Sequence, residues 1–215
     1  MNLKLYNIQV KKTARYYILG EQSEKIKSVW IVLHGFKQLA EVFIKYFKTV
    51  VDENTLVVAP EALNKFYLEG FNGKVGATWM TKENRENEII DYVNYLDSVY
   101  DEVVKYGLFS NAKVTVLGFS QGTATACRWL VMGKSKIDKL IIWGGGIPPD
   151  IDLSSSKKLF DSSDLTIVIG DGDEFISNEQ LKEELKKLDE IKLIYKYLSY
   201  SGGHEIRADI LRQII

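Results

Sequence analysis

The chain has 215 residues, of which 46% are hydrophobic and 27% charged, and its formal net charge is −1 at pH 7. This length is sufficient for a substantial core, and the near-neutral charge gives no electrostatic reason to expect nucleic acid or an anionic membrane as a partner. A single cysteine, Cys127, excludes an intramolecular disulfide, and two histidines with one cysteine argue against a structural zinc site. We therefore expect one domain over residues 1–215, without a metal or cofactor.

No stretch of the sequence has the pattern of a targeting or membrane segment. The first ten residues lack the apolar core of a signal peptide. No apolar run approaches the roughly 18 residues that span a bilayer. The sequence therefore predicts a cytoplasmic protein with no membrane span, and it leaves the oligomeric state open.

Apolar runs and helical spacing predict strands that alternate with helices after a leading hairpin. The predicted strands are 3–10, 14–19, 29–33, 56–59, 113–117, 139–143, 165–169 and 191–198. The predicted helices are 40–51, 84–106, a segment after Ser120, a turn near 157–160, 178–188 and 205–215. With about eight strands, six of them parallel, the pattern indicates an α/β fold with helices on both faces of a mostly parallel sheet. Ligands of such sheets bind at the carboxyl ends of the strands.

Residues 61–83 have no regular pattern and are rich in glycine and aromatic residues. Long apolar loops of this kind are uncommon unless they form a site or a lid. We expect this segment to be an irregular loop that contributes Phe71, Trp79 and Met80 to a substrate pocket. The alternative is that its aromatic side chains close the edge of the core.

Gly118-Phe119-Ser120-Gln121-Gly122 fits the G-x-S-x-G pattern of a nucleophile elbow. The pentapeptide follows an apolar β-branched run and precedes a helical one, which is the strand–turn–helix context that this motif requires. Ser120 would occupy a strained turn that its glycine neighbours make possible, with its hydroxyl near the positive end of a helix. By itself the motif also fits an ordinary turn with a helix-capping serine.

A serine nucleophile needs a base, and the sequence offers His34 and His204. His204 follows the last predicted strand, as expected from the chain order nucleophile, acid, histidine. Asp171 and Asp173 both follow the preceding strand, and Asp164 and Glu174 are more distant candidates. We favour Asp173 as the acid because Asp171 suits a turn in which it bonds its own backbone.

Two backbone N–H groups are expected to hold the oxyanion. They are those of Gln121, directly after the serine, and of Phe36, in the loop after strand 29–33. His34 is interpreted as a residue that braces this loop through hydrogen bonds.

Four segments together resemble the α/β-hydrolase superfamily, and more narrowly its phospholipase/carboxylesterase family, which includes the acyl-protein thioesterases. The segments are Leu33-His34-Gly35-Phe36, Gly118-Phe119-Ser120-Gln121-Gly122, Gly170-Asp171-Gly172-Asp173 and Gly203-His204-Glu205-Ile206. The resemblance covers nearly the whole chain and implies an α/β-hydrolase fold. The short chain leaves room for little or no lid. It also implies that Asp173 is the acid of the triad. Trp79 matches a tryptophan of the family in the loop before the long helix.

The sequence departs from the family at two places. The usual His-Gly-x-Gly-Asp run is His34-Gly35-Phe36-Lys37-Gln38 here, and the usual proline after the acidic turn is replaced by Glu174-Phe175-Ile176. These changes affect the expected substrate more than the expected reaction.

The predicted function is that of a serine hydrolase, which cleaves carboxylic esters or thioesters with small or medium acyl groups through an acyl-enzyme on Ser120, with Asp173 and His204. Two alternatives remain open. One is a binding protein that keeps the hydrolase fold without turnover, and the other is a peptidase or lactone hydrolase on the same fold.

Overall fold

The computed structural model describes residues 2–105 and 109–215. Its strands are β1 Tyr16–Leu19, β2 Ser28–Leu33, β3 Thr55–Pro60, β4 Asn64–Tyr67, β5 Val75–Thr78, β6 Lys113–Phe119, β7 Lys139–Trp143, β8 Thr166–Gly170 and β9 Lys196–Tyr200. Its α-helices are α1 Ala40–Phe43, α2 Arg85–Tyr100, α3 Gln121–Met132, α4 Leu153–Asp161, α5 Asn178–Glu190 and α6 Ala208–Ile214. A 3-10 helix at Ile44–Thr49 continues α1, and a π-helical turn at Asp101–Lys105 continues α2. Tyr106, the last residue of the predicted long helix, lies outside the described residues.

Seven of these strands form one sheet in the order β1-β3-β2-β6-β7-β8-β9. Only the β1–β3 pair is antiparallel within this sheet, and the five pairs from β3 to β9 are parallel. The carboxyl ends of β2, β6, β8 and β9 therefore meet at one edge, which gathers the loops that follow them. This arrangement confirms the predicted mostly parallel α/β sheet, with seven strands in place of about eight.

Helices cover both faces of the sheet because the central strands bury side chains on both sides. Along β2, Val29 and Ile31 belong to a core cluster shared with α2 and α3, while Trp30 and Val32 belong to a second cluster shared with α1 and α6. The strand alternates with a period of two, so a continuous apolar run supplies both clusters. Cys127 of α3 is fully buried, and this burial raises the pKa of its thiol.

The predicted leading hairpin is wrong. Residues 2–15 form no strand in the described chain, and β1 pairs with β3 instead of with residues 3–10. The apolar pattern of the segment changes face between Leu5 and Tyr6, so a strand there would have no continuous apolar side to bury. Its apolar side chains are exposed: Leu3, Leu5, Tyr6, Ile8 and Val10.

The expectation of an irregular loop at 61–83 is also wrong. β4 and β5 pair antiparallel in a separate two-stranded sheet. The carbonyl of Ala77 in β5 accepts a hydrogen bond of 2.9 Å from the Lys37 N–H. The hairpin is thereby attached to the loop after β2. No helix within the described residues is long and apolar enough to cross a membrane.

Candidate active site

Ser120 is the single residue between β6 and α3, and its backbone is strained. Its φ is 54° and its ψ is −118°, a region that non-glycine residues rarely occupy. Such a conformation costs about 1–3 kcal/mol and persists only where the surrounding structure enforces it. The serine thus stands at the sharp turn that the G-x-S-x-G pattern predicts.

The two glycines of the motif are required by close backbone packing. A Cβ atom on Gly118 would lie 2.2 Å from the carbonyl oxygen of Gly122. A Cβ atom on Gly122 would lie 2.2 Å from the carbonyl oxygen of Leu33, at the end of β2. Both distances are far below van der Waals contact, so any side chain would push α3 away from β6 and β2.

His204 and Asp173 come together although they are 31 residues apart in the sequence. The Nδ1 atom of His204 lies 2.7 Å from Oδ2 of Asp173, whose side chain is fully buried. The other oxygen of Asp173 accepts a hydrogen bond of 2.9 Å from the Phe175 N–H. With both oxygens engaged, the carboxylate has one orientation, and it selects the histidine tautomer that carries its proton on Nδ1.

The histidine ring also lies next to the turn that carries Ser120. Its centroid is 4.8 Å from the ring of Phe119, the residue before the serine. A Cβ atom on Gly144, in the loop after β7, would lie 3.0 Å from Cε1 of His204. The loops after β6, β7, β8 and β9 therefore converge on one small volume at the carboxyl edge of the sheet.

Asp171, the alternative acid, makes different contacts. Its Oδ1 accepts a hydrogen bond of 3.0 Å from the Gly202 N–H, and its own N–H donates to the carbonyl of Tyr200. Its side chain therefore holds the loop that carries His204, in place of the bond to its own backbone that is expected of a turn-forming aspartate.

Tyr200 is a supporting residue that sequence analysis did not identify. Its hydroxyl lies 2.9 Å from the carbonyl oxygen of Gly203 and 2.7 Å from that of Glu205, the two neighbours of His204. It also accepts a hydrogen bond of 3.2 Å from the Trp143 indole N–H. Burial raises the pKa of the Tyr200 hydroxyl, so it remains protonated as a donor. No local sequence pattern indicates this role, because the contacts depend on how β7 and β9 are brought together.

The loop after β2 runs directly beside the serine. A Cβ atom on Gly35 would lie 3.1 Å from the Cβ of Ser120. The N–H of Gly35 donates to Oε1 of Gln38, and that of Lys37 donates to Ala77. The Phe36 N–H between them has no acceptor among the described residues, as is required of an amide that is to bind an oxyanion.

Gln121 supplies the second expected amide, at the first position of α3, and its side chain makes further contacts. Its Nε2 donates to the Thr78 hydroxyl and to the Met80 carbonyl, at 2.9 Å each. Its Oε1 accepts the Trp79 N–H at 3.1 Å. The side chain therefore joins the segment after β5 to the start of α3, which the sequence interpretation did not anticipate.

His34 is fully buried and makes the bracing hydrogen bonds expected of it. Its Nδ1 lies 2.8 Å from the Gly35 carbonyl oxygen, to which it donates, and its Nε2 accepts the Ala62 N–H at 3.1 Å. Both ring nitrogens are therefore used by backbone groups. Burial lowers the pKa of His34 to about 4, so the ring is neutral at pH 7.

The three residues expected in the substrate pocket have different environments. Trp79 is buried, its indole N–H donates to the His34 carbonyl at 2.8 Å, and its ring packs on His34 at 5.1 Å. These contacts place Trp79 behind the loop after β2, where it leaves no surface for a substrate. Phe71 is 91% exposed in the turn between β4 and β5. Met80 is half-buried, with its sulfur 3.3 Å from Arg85 and 3.5 Å from Arg128.

Arg128 is a buried charge near this segment. Its guanidinium binds both oxygens of Asp150, at 2.9 and 2.7 Å, and its third nitrogen lies 3.2 Å from the Tyr92 hydroxyl. Among the described residues, no group of three or more histidine, cysteine, aspartate or glutamate side chains could hold a metal ion.

Comparison with solved structures shows that the fold is that of the α/β-hydrolases. Zea mays acyl-protein thioesterase 2 has 15% sequence identity and a TM-score of 0.71, with 94% of this chain and 96% of that chain covered. Esterase PE8 has 20% identity and a TM-score of 0.64, with 94% and 99% covered. Arabidopsis thaliana SOBER1 has 19% identity and a TM-score of 0.63, with 87% and 95% covered.

At the level of sequence, none of the curated proteins matches the chain. Residues 15–215, however, match the sequence profile described as phospholipase/carboxylesterase. This match includes all four segments that carry the resemblance noted in the sequence. The chain therefore belongs to the phospholipase/carboxylesterase family of esterase-type hydrolases.

Proposed function

We propose that the chain, acting as one domain, hydrolyses small carboxylic esters or thioesters through an acyl-enzyme on Ser120. The observation that carries this proposal is the strained backbone of Ser120 beside a His204–Asp173 pair joined at 2.7 Å. A strained serine at the carboxyl edge of the sheet has no structural purpose of its own, and strain of this kind is typical of functional sites.

In the proposed reaction, Nε2 of His204 accepts the proton of the Ser120 hydroxyl while the oxygen attacks the acyl carbon. The hydrogen bond to Asp173 selects the tautomer of the imidazole, limits its orientation and stabilises its charged form. The same proton then passes to the leaving group as the bond between that group and the acyl carbon breaks. A water molecule, deprotonated by His204, releases the acid by the reverse sequence.

The N–H groups of Phe36 and Gln121 hold the oxyanion that forms in both steps. The Phe36 amide, which has no acceptor within residues 2–105 and 109–215, and the close approach of Gly35 to Ser120 support this assignment. The N-terminus of α3 adds positive potential at the same point. Removal of one such donor usually reduces kcat about 100-fold to 1,000-fold.

The preference for small or medium acyl chains over a deeply buried lipid is carried over from the sequence interpretation, and Ser120 is half-buried at the carboxyl edge of the sheet. Phe71 and Met80 remain predicted substrate contacts, and the cytoplasmic location remains a prediction. Buried Trp79 is proposed to affect the site only through the loop after β2, which it supports.

Hydrolysis of p-nitrophenyl esters from acetate to laurate, by the wild type and Ser120→Ala, tests the proposal. We expect the wild type to turn over the shorter esters and Ser120→Ala to lose about 10,000-fold or more in kcat/KM. Ser98→Ala, which removes an exposed hydroxyl on α2, is the matched control and should retain wild-type rates. Appreciable turnover by Ser120→Ala would contradict the mechanism.

A fluorophosphonate probe separates the enzyme from a non-catalytic binding protein on the same fold. Only an activated serine is phosphonylated rapidly, so we expect labelling of the wild type and of Ser98→Ala but not of Ser120→Ala. A wild type that is neither labelled nor active on any ester would favour the binding protein. Thioesters with the same acyl chains, followed by thiol release, then measure the preference between oxygen and sulfur leaving groups.

A further inference from the structure

Phe175 is an exposed aromatic residue in contact with the proposed general base. Its side chain is 70% exposed, yet its ring lies against His204 with a centroid distance of 4.7 Å and an interplanar angle of 63°. This edge-to-face geometry is favourable for aromatic pairs, and it stabilises one orientation of the ring. Phe175 stands in the segment after the acidic turn, where this chain differs from its family.

Phe175 also contacts the acid of the pair through its backbone. Its N–H donates to Oδ1 of Asp173, while Oδ2 of the same carboxylate holds His204. Its side chain and its main chain therefore act on neighbouring members of the proposed triad. Substitution of the side chain leaves the backbone hydrogen bond in place, so the two contributions can be separated.

The imidazole contacts two phenylalanine rings that differ in exposure. Phe119 is buried and packs against Phe43 in the core, with its ring 4.8 Å from that of His204. The hydrogen bond at Nδ1 fixes one point of the imidazole but leaves rotation about its side-chain bonds. Phe119 and Phe175 both contact the ring and so restrict this rotation.

We propose that Phe175 is a positioning residue that keeps Nε2 of His204 aligned with the leaving group. The inference rests on the proposed function. In that step the bond between acyl carbon and leaving oxygen breaks, its electron pair goes to the oxygen, and the proton on Nε2 moves to the same oxygen. Phe175 touches none of the reacting atoms. It prevents the imidazole from turning out to solvent before the proton is transferred, and proton transfer is sensitive to such displacement.

Two esters with the same acyl group distinguish positioning from other roles. p-Nitrophenolate is a stable anion that leaves without a proton, whereas ethoxide must be protonated as it leaves. For Phe175→Ala we expect kcat on ethyl butyrate to fall about tenfold or more. This loss is a part of the contribution that general acid catalysis usually makes to kcat. p-Nitrophenyl butyrate still needs His204 as a base but not as an acid, so its loss should be smaller, about threefold, with KM nearly unchanged on both.

Two further variants complete the test. Phe175→Tyr keeps the aromatic edge and should restore wild-type rates on both esters. Ile194→Ala shortens another exposed apolar side chain, which is 67% exposed before β9, and should change neither rate. Thermal unfolding of each variant shows whether the fold is retained.

Three outcomes would overturn the inference. Unchanged rates for Phe175→Ala on both esters would show that the ring does not act on the imidazole. A rise in KM without a fall in kcat would make Phe175 a substrate contact, and equal losses of kcat on both esters would exclude a selective role in leaving-group protonation. A wild type that hydrolyses neither ester would refute the proposed function itself, and the inference with it.

Discussion

Gly122 of α3 lies so close to Leu33 of β2 that a Cβ atom on the glycine would stand 2.2 Å from the leucine carbonyl oxygen. This contact joins the helix that begins after the proposed nucleophile to the strand that leads into the proposed oxyanion loop. Because Gly35 of that loop also approaches Ser120, the distance between the proposed nucleophile and the proposed Phe36 donor depends on how closely α3 packs on β2. The second glycine of G-x-S-x-G thus sets the geometry of the site as well as the turn.

Gly122→Ala should therefore reduce both stability and activity. The added methyl group meets rigid backbone, so the helix must move, and we expect a loss of about 3 kcal/mol in the free energy of unfolding. Urea denaturation measures this loss, and ester turnover should fall with it. Gly203→Ala is the matched control, because its Cβ would meet its nearest neighbours only at 3.6 and 3.7 Å. A stability of Gly122→Ala equal to that of Gly203→Ala would contradict the packing described here.

The side chain of Gln121 should contribute to stability independently of its backbone amide. Gln121→Ala removes hydrogen bonds to Thr78, Trp79 and Met80 and leaves the Trp79 N–H without its acceptor. We expect a loss of about 2 kcal/mol in the free energy of unfolding, since an unsatisfied buried group adds to the lost bonds. Gln213→Ala, at an exposed position on α6, should change stability by less than about 0.5 kcal/mol. Equal denaturation midpoints for the two variants would show that the contacts of Gln121 carry no net stability.

The central strands could be predicted because each is a continuous apolar run buried on both faces. β2, β3, β6, β7 and β8 all lie within one or two residues of the predicted strands. Their order in the chain also indicated which loops meet, and the structure brings Asp173 and His204 into contact as that interpretation requires. A buried parallel strand is specified mainly by its own composition, so local sequence is sufficient to find it.

The β4–β5 hairpin could not be predicted because its own residues carry little strand signal. Asn64 and Lys65 are polar, and Gly76 has no side chain to pack. A Cβ atom on Gly76 would lie 2.7 Å from the Lys37 carbonyl oxygen, so the hairpin depends on a close approach to a distant loop. The strand prediction for residues 3–10 is wrong for the opposite reason. The segment has a strand-like composition, but it pairs with no strand of the described sheet.

Lys37 occupies the position where the family usually has a second glycine, and its backbone has a positive φ of 68°. A left-handed conformation costs a non-glycine residue about 1–2 kcal/mol, which is partly offset because glycine is more flexible in the unfolded chain. Lys37→Gly should therefore raise the free energy of unfolding by about 0.5–1 kcal/mol. Lys37→Ala loses the same side chain but keeps the backbone strain, so its free energy of unfolding should not rise. Equal stabilities of the two variants would mean that the backbone strain is not relieved by glycine.

His34 should make stability depend on pH over a defined window. Burial lowers its pKa from 6.5 to about 4, so the unfolded chain binds a proton at this residue between these values and the folded chain does not. The contribution of His34 to the free energy of unfolding is therefore fully present above pH 6.5. It falls by about 3 kcal/mol in total as pH falls towards 4. Urea denaturation from pH 7 to pH 4 measures the slope, and His34→Gln, which cannot titrate, should flatten it.

A direct readout comes from the imidazole resonances of the folded protein, since His34 and His204 are its two histidines. The Cε1 proton signal that disappears in His34→Gln identifies His34 in the wild-type spectrum. We expect that signal to keep its neutral chemical shift down to about pH 5, because the ring is buried and its Nε2 already accepts the Ala62 N–H. A titration midpoint near 6.5 for this resonance would show that the ring is accessible to protons, and it would remove the basis for the predicted loss of stability.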